Sequence, residues 1–257
     1  MKRFGEFVHS LSGKYITAED VGMTTEDMDT VREVTPYVTG ISQSKGGAGN
    51  PSPVTAYGTF MGMKAAAKYK FGTDVLEGKR VFVQGIGNVG EALVEHLTNE
   101  GALVTISDIN EDRLKEVSDK YDASIYRGND IYSEEMDIYA PCALGATIND
   151  ETIYKLKAQV IAGAANNQLA EEHKHGTILR ERNIVYAPDF LINAGGIINV
   201  YAELENYDRK EIMRKTENIY NTTLEIFDYA DKNNITTQSA AFNIANERIE
   251  ARKKANS

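Results

Sequence analysis

The stretch that most limits what this chain can fold into runs from Lys79 to Asp108, KRVFVQGIGNVGEALVEHLTNEGALVTISD. Arg80 to Gln84 is a short run rich in β-branched and aromatic residues. It turns through Gly85, Gly87 and Gly90 and continues as Glu91 to Glu100, with Ala92, Leu93, Val94 and Leu97 at helical spacing. A second apolar run, Leu103 to Ile106, leads to Asp108, roughly twenty residues past the first glycine. Each residue has a job in such a strand–turn–helix–strand unit. Gly85 permits the tight turn, Gly87 lets a pyrophosphate approach the backbone, and Gly90 lets helix and strand pack closely, while N–H groups at the helix start face negative charge. Asp108 then accepts from a ribose 2′-hydroxyl. Glycine turns alone are weak evidence, and a purely structural βαβ unit is the competing reading; here strand, helix, second strand and terminal acid all follow in order.

The same alternation continues downstream. Asn110 to Tyr121 reads as helix, Ala123 to Ile125 and Asp137 to Ala140 as strands, Thr152 to Leu156 as helix, and Gln159 to Ala162 and Ile184 to Tyr186 as strands. Six strands with helical crossovers predict an α/β fold, a doubly wound and mainly parallel open sheet with additional helices at both ends. From Leu191 onward the pattern is helical, with long segments at Arg209 to Asp231 and Gln238 to Lys253.

Before the glycine turn the signals are shorter. Phe4, Phe7, Val8 and Leu11 recur at helical spacing up to Gly13, and this uncapped apolar face at the chain start reads as the tail of something longer. Tyr15 to Thr17 is a short strand candidate. Thr24 or Thr25 caps the next helix, with Glu26, Asp27 and Asp29 near its positive end. Thr39 to Pro53 holds four glycines and two prolines, enough for a loop or hinge. Ser52 and Pro53 then open a helix through Thr55, Phe60, Met63 and Ala67 that stops near Gly72. The implied division is residues 1–50 as the end of a preceding domain with its hinge, 51–207 as the dinucleotide-binding domain, and 208–257 as helices returning to the interdomain region.

Charge and cysteine content narrow the partners. With 38 acidic against 28 basic residues and no run of like charges, a nucleic acid partner is disfavoured. The single cysteine, Cys142, precludes an internal disulfide framework and suits a reducing compartment, so the cytoplasm is expected. No segment has the roughly 18 apolar residues of a membrane span.

Ligands of open α/β sheets bind beyond the carboxyl ends of the strands. Three such ends are unusual here: Pro141 to Gly145, Gly163 to Gln168, and Asp189 to Gly196. Asn166 and Asn193, at the second and third, offer both donor and acceptor to a carboxamide, although asparagine is also ordinary turn chemistry. Other assignments fail on residue type. None of the 14 tyrosines has a lysine four residues on, as a short-chain dehydrogenase requires. His9 and His96 fall on helices, His173 and His175 sit in a charged stretch read as solvated surface, and no complete metal site is expected. Cys142 has no histidine beside it to make it a nucleophile.

Six ordered blocks, AEDVG over 18–22, GNPSPVTAYG over 49–58, QGIGNV over 84–89, DIYAPCALGA over 137–146, AGAANNQL over 162–169 and APDFLINAGGIINV over 187–200, together resemble the leucine, phenylalanine and valine dehydrogenases of the glutamate dehydrogenase-like superfamily. The resemblance spans essentially the whole chain. It implies a Rossmann-like fold and NAD-dependent oxidative deamination of an L-amino acid, a branched-chain one above all, to its 2-oxo acid and ammonia, in a homo-oligomer. Matched by position, Asp20 is the catalytic carboxylate. Gly85, Ile86, Gly87, Asn88, Val89, Gly90 and Asp108 hold the cofactor from one side, and Cys142, Ala143 and Ala164 line its other side. Thr55, Asn166 and Asn193 lie near nicotinamide or substrate, and Ile197 and Val200 line the side-chain pocket. The family's substrate-binding lysines belong to a preceding glycine-rich segment with no counterpart here, Lys45 being no match, so the chain is expected to bind cofactor with little turnover of its own. The alternative is a non-catalytic NAD-binding module.

Overall fold

The structure, a computed structural model, describes residues 1–20, 22–205 and 207–255. Two short helices come first, α1 (Lys2–Ser10) and α2 (Thr25–Arg32), followed by the long α3 (Ser52–Phe71). Strand and helix then alternate: β1 (Arg80–Gln84), α4 (Asn88–Asn99), β2 (Leu103–Ser107), α5 (Glu111–Tyr121), β3 (Ser124–Ile125), β4 (Ile138–Pro141), β5 (Val160–Ile161), α6 (Glu172–Glu181) and β6 (Val185–Tyr186). Helices close the chain: α7 (Asp189–Ile192), α8 (Gly195–Glu205), α9 (Arg209–Glu217), α10 (Ile219–Asn233) and α11 (Thr237–Ala255).

The six strands form one sheet in the order β3-β2-β1-β4-β5-β6, and every pairing is parallel. This is the doubly wound Rossmann order, with its switch point between β1 and β4. Side chains alternate across the sheet as the two-residue period requires. Val81, Val83, Ile106, Ile138 and Val160 face a core shared with α3, α4 and α10, while Phe82, Tyr139, Ile161 and Tyr186 face a second cluster with Ile148, Ile153 and Leu179. Each side is sealed from water, and the buried runs read as near-continuous apolar segments for that reason. No helix among the described residues is long and apolar enough to cross a membrane.

Helix α3 is buried nearly all round, which its small residues permit. A Cβ on Gly62 would lie 2.2 Å from Cγ2 of Ile192, so α7 packs directly against the α3 backbone. The first helical residue is Ser52 rather than Pro53, with Pro51 in the capping position, because Oδ1 of Asn50 accepts the Ser52 N–H and starts the turn one residue early. Helix α2 carries a full capping box between Thr24 and Asp27. Val8 of α1 is buried, whereas Phe7 is 64% exposed, so the apolar face of the first helix is only partly covered by α2.

Four local expectations are corrected. Tyr15 to Thr17 forms no strand, only an isolated parallel bridge from Thr17 to Val38. Thr152 to Leu156 is a pair of hydrogen-bonded turns, because the Asn149 side chain takes the N–H groups of Glu151 and Thr152 and the Thr152 hydroxyl bonds the Thr147 carbonyl. The charged stretch around His173 is a helix, α6. Arg209 to Asp231 is two helices broken at Asn218, where the buried stripe passes from Ile212 and Thr216 to Ile219, Thr223 and Phe227.

Candidate functional site

The ends of β1 and β4 diverge at the switch point, and the glycine turn fills the gap between them. Gly85 has φ +93°, a left-handed value that favours glycine, and a Cβ there would lie 2.6 Å from Cβ of Ala143. At Gly90 a Cβ would lie 2.0 Å from the Gly85 carbonyl oxygen, so the helix start rests on the turn itself. At Gly87 it would meet nothing within 4 Å. The open position is the one at which the sequence pattern predicts a pyrophosphate. Gly87 is the N-cap of α4 and no side chain among the described residues caps that helix, so Asn88 and Val89 start the helix with backbone donors facing the same space.

Asp108 stands just past β2. Its Oδ2 accepts the Ile86 N–H at 2.8 Å and its Oδ1 accepts the Asn110 N–H at 3.0 Å. A carboxylate has about four lone-pair sites, so two backbone bonds orient it and leave capacity for ribose hydroxyls. These residues fit a dinucleotide: an uncapped helix start, a turn open where a Cβ would intrude, and an aimed carboxylate.

The opposite wall comes from the ends of β4, β5 and β6. The Cys142 N–H donates to the Gln84 carbonyl at 2.7 Å, and the Ala146 N–H to the Asn167 carbonyl at 2.7 Å. Ala146 holds φ +56°, an unfavourable left-handed value for alanine, in making that contact. Burial pushes the Cys142 thiol up to about 11, against an N–H of Ala164 that pulls it down, so the sulfur is a wall atom rather than a nucleophile. Nδ2 of Asn193 donates to Oδ1 of Asn166 at 2.6 Å and to the Ala164 carbonyl at 3.1 Å. The two asparagines singled out in the sequence therefore touch. Thr55 joins them from α3, since a Cβ on Gly196 would lie 2.8 Å from its Oγ1.

Two residues that shape this wall lie in the strand ends singled out by sequence, where no role is assigned to them. Gln168, fully buried, donates from Nε2 to the carbonyls of Gly163 at 2.7 Å and Ala165 at 2.9 Å, holding the loop that presents Asn166. Asp189 accepts the N–H groups of Gln168 and Phe190, tying that loop to α7. A glutamine ending a run of small residues and asparagines is the one hint the sequence holds.

The other candidates lie across the crevice. Ile197 is 65% exposed on α8, whereas Val200 is 8% exposed and packs under the glycine-rich loop: a Cβ on Gly40 would lie 4.0 Å from its Cγ1 and 3.4 Å from Cβ of Glu19. Asp20 is exposed, its carbonyl accepting the Met23 N–H. Burial at this turn falls on the neighbouring Glu19, whose carboxyl is pushed up by it and accepts the Thr25 hydroxyl at 3.2 Å. Val21, next in the AEDVG block, lies outside the described residues. Lys45 pairs with Asp29 at 3.2 Å.

His175 corrects another expectation. It is 1% exposed rather than solvated, and with Asp150 and Glu171 it places three ligand-type atoms within 4.8 Å of one another. Its Nδ1 accepts the Glu171 N–H at 2.9 Å, so the proton sits on Nε2, which faces Oδ1 of Asp150 at 3.1 Å. A metal ligand needs the opposite arrangement, a bare nitrogen toward the cation and a donor behind it. Lys174 already pairs with both carboxylates. The trio ties the first turn of α6 to Asp150.

A family model described as Glutamate/Leucine/Phenylalanine/Valine dehydrogenase matches residues 46–112 and 109–256. A leucine dehydrogenase from Bacillus cereus is 53% identical over 256 residues, covering 100% of this chain and 70% of that protein. The crystal structure of L-tryptophan dehydrogenase from Nostoc punctiforme superposes with a TM-score of 0.84 at 41% identity, over 98% of this chain and 72% of that one. A hetero-hexameric glutamate dehydrogenase from Thermus thermophilus, at 20% identity and a TM-score of 0.78 over 100% of this chain and 69% of that one, shares the fold.

Proposed function

The chain belongs to the glutamate, leucine, phenylalanine and valine dehydrogenase family of amino acid dehydrogenases, and from that premise we propose that it serves the NAD-dependent oxidative deamination of a branched-chain L-amino acid to its 2-oxo acid and ammonia. The observation that carries the reading is the contact between Asn166 and Asn193, after β5 and β6, in the same row of strand ends as the open, uncapped glycine turn after β1. Bound NAD supplies a hydride acceptor. The backbone from Gly87 to Val89 holds its pyrophosphate, Asp108 its adenosine ribose, and the asparagine pair its carboxamide. Asn193 Nδ2 and Asn166 Oδ1 orient each other, and the outer atoms of the two amides, Asn193 Oδ1 and Asn166 Nδ2, would be the acceptor and donor for the carboxamide. Asp20, exposed on its turn, takes the proton of the substrate ammonium and returns one to the departing amine. Ile197 offers apolar surface to a branched side chain.

NAD is preferred to NADP, since a 2′-phosphate would meet the like charge of Asp108. Calorimetric titration with both dinucleotides tests the cofactor assignment, and equal affinities would remove Asp108 from it. Following NADH formation with L-leucine, L-valine, L-isoleucine and L-phenylalanine in the product of the full reading frame tests the substrate. Faster turnover of phenylalanine than of every branched substrate would overturn the branched-chain assignment.

A further inference from the structure

Beside Asp108 lies an arginine that the cofactor reading does not use. Arg113 sits in the first turn of α5, its own N–H capped by Oδ1 of Asn110 at 3.1 Å. Its Nε donates to the Ile86 carbonyl at 3.4 Å, while the N–H of that same Ile86 donates to Asp108. A single residue of the glycine turn, Ile86, therefore bridges a guanidinium and the carboxylate proposed to meet the ribose. An arginine at this place ordinarily accommodates a 2′-phosphate. Here it is drawn aside: one terminal nitrogen pairs with Glu91 of α4 and the other with Glu116 at 2.8 Å.

Glu91 is the stronger hold. Its side chain is 17% exposed, against 61% for Glu116, and it also accepts from Lys120 at 3.0 Å and from the Tyr121 hydroxyl at 3.4 Å. Burial works to raise the Glu91 carboxyl, and the two cations outweigh it, so the group stays ionised and lower than usual. The charges balance locally, Glu91 and Glu116 against Arg113 and Lys120, and the guanidinium has no net attraction left for an incoming phosphate.

Resting on the cofactor site proposed above, we infer that Glu91 is a positioning residue for cofactor selectivity: it holds Arg113 away from the 2′-position, and removing its charge turns Arg113 into a ligand for a nucleotide bearing a 2′-phosphate. The isosteric Glu91→Gln keeps the packing and releases the guanidinium. Charge-assisted hydrogen bonds to a phosphate are worth enough for a shift of about tenfold.

The test is calorimetric titration of the whole chain and its variants with NAD and NADP. Glu91→Gln is expected to tighten NADP by about tenfold while moving NAD by less than about threefold. In Glu91→Gln with Arg113→Gln the gain disappears. An unchanged ratio of the two affinities, or a gain that survives loss of Arg113, overturns the inference. If Glu91→Gln does not fold, Arg113→Gln alone is expected to move both affinities by less than about threefold, because the guanidinium is already withheld in the parent; a selective loss of NADP affinity would show that Arg113 is not held away and overturns the inference equally. Failure of the parent chain to bind NAD at all would instead overturn the cofactor site, so the two failures are distinguishable.

Discussion

The cofactor side of the crevice hangs from six hydrogen-bonded parallel strands, whereas the Asp20 side rests on a small cluster of Met28, Val31, Val38 and Ile41, a single bridge from Thr17 to Val38, and the carboxylate of Glu203. That carboxylate reaches back from α8 and accepts the N–H groups of Gly40 at 2.8 Å and Ala48 at 2.7 Å with one oxygen. On the first side the contacts are backbone on backbone, with no slack at Gly85 or Gly90. On the second the proposed catalytic acid is exposed on a turn, and Gly40 of the glycine-rich loop rests on its neighbour Glu19. The first side is thus the more tightly packed of the two.

The sharpest way to separate the two sides is Asp20→Asn in the product of the full reading frame. Turnover should fall by about 10²- to 10⁴-fold with NAD affinity unmoved; a parallel loss of NAD affinity would show that the sides are not independent. Gly87→Val should weaken NAD by on the order of 10²-fold, since overpacking of the pyrophosphate space is worth about 1–3 kcal/mol. Its melting temperature should hold, because a Cβ at Gly87 meets nothing, whereas Gly90→Ala, forced onto the Gly85 carbonyl, should melt early. Equal melting of the two variants would refute the separate roles of these glycines.

Glu203→Ala orphans two backbone donors, each costing about 1–3 kcal/mol when left unsatisfied. Hydrogen exchange should accelerate across residues 40–48 and stay unchanged in β1 and β2; uniform acceleration would mean that the loop and the sheet unfold as one unit. The smallest effect is on pH. Burial raises the Glu203 carboxyl, with the N–H groups of Ala48 and Gly40 pulling the other way. The fold therefore favours its neutral form, a stabilisation fully present below the ordinary value of 4.5 and lost as pH rises through the raised one. Glu203→Gln should gain in melting temperature relative to the parent as pH climbs past that window, and a constant difference would contradict the raised value.

Legibility followed the range of the forces involved. The β1 turn was readable because its geometry arises within one strand–helix connection: Gly85 takes the left-handed turn and Gly90 the close packing, and a Cβ at Gly87 would meet open space. Helix α6 was hidden because a charged stretch carries little apolar period, and His175 was misread with it: its ring meets Asp150, 25 residues away. The clamp on the glycine-rich loop was invisible for the same reason, since the partners of Glu203 lie 163 and 155 residues earlier.

By itself the sequence determined the parallel order of helix and strand, the open turn at Gly87, the acid at the end of β2 and the asparagines at the strand ends, because periodicity and turn chemistry act over a few residues. Only the tertiary structure decided that Asp20 stands exposed while Glu19 is covered, that Asn166 meets Asn193, and that Arg113 is turned toward Glu91. Whether a polar group is buried, paired or free depends on which distant segment packs against it, and no local pattern of residues carries that information.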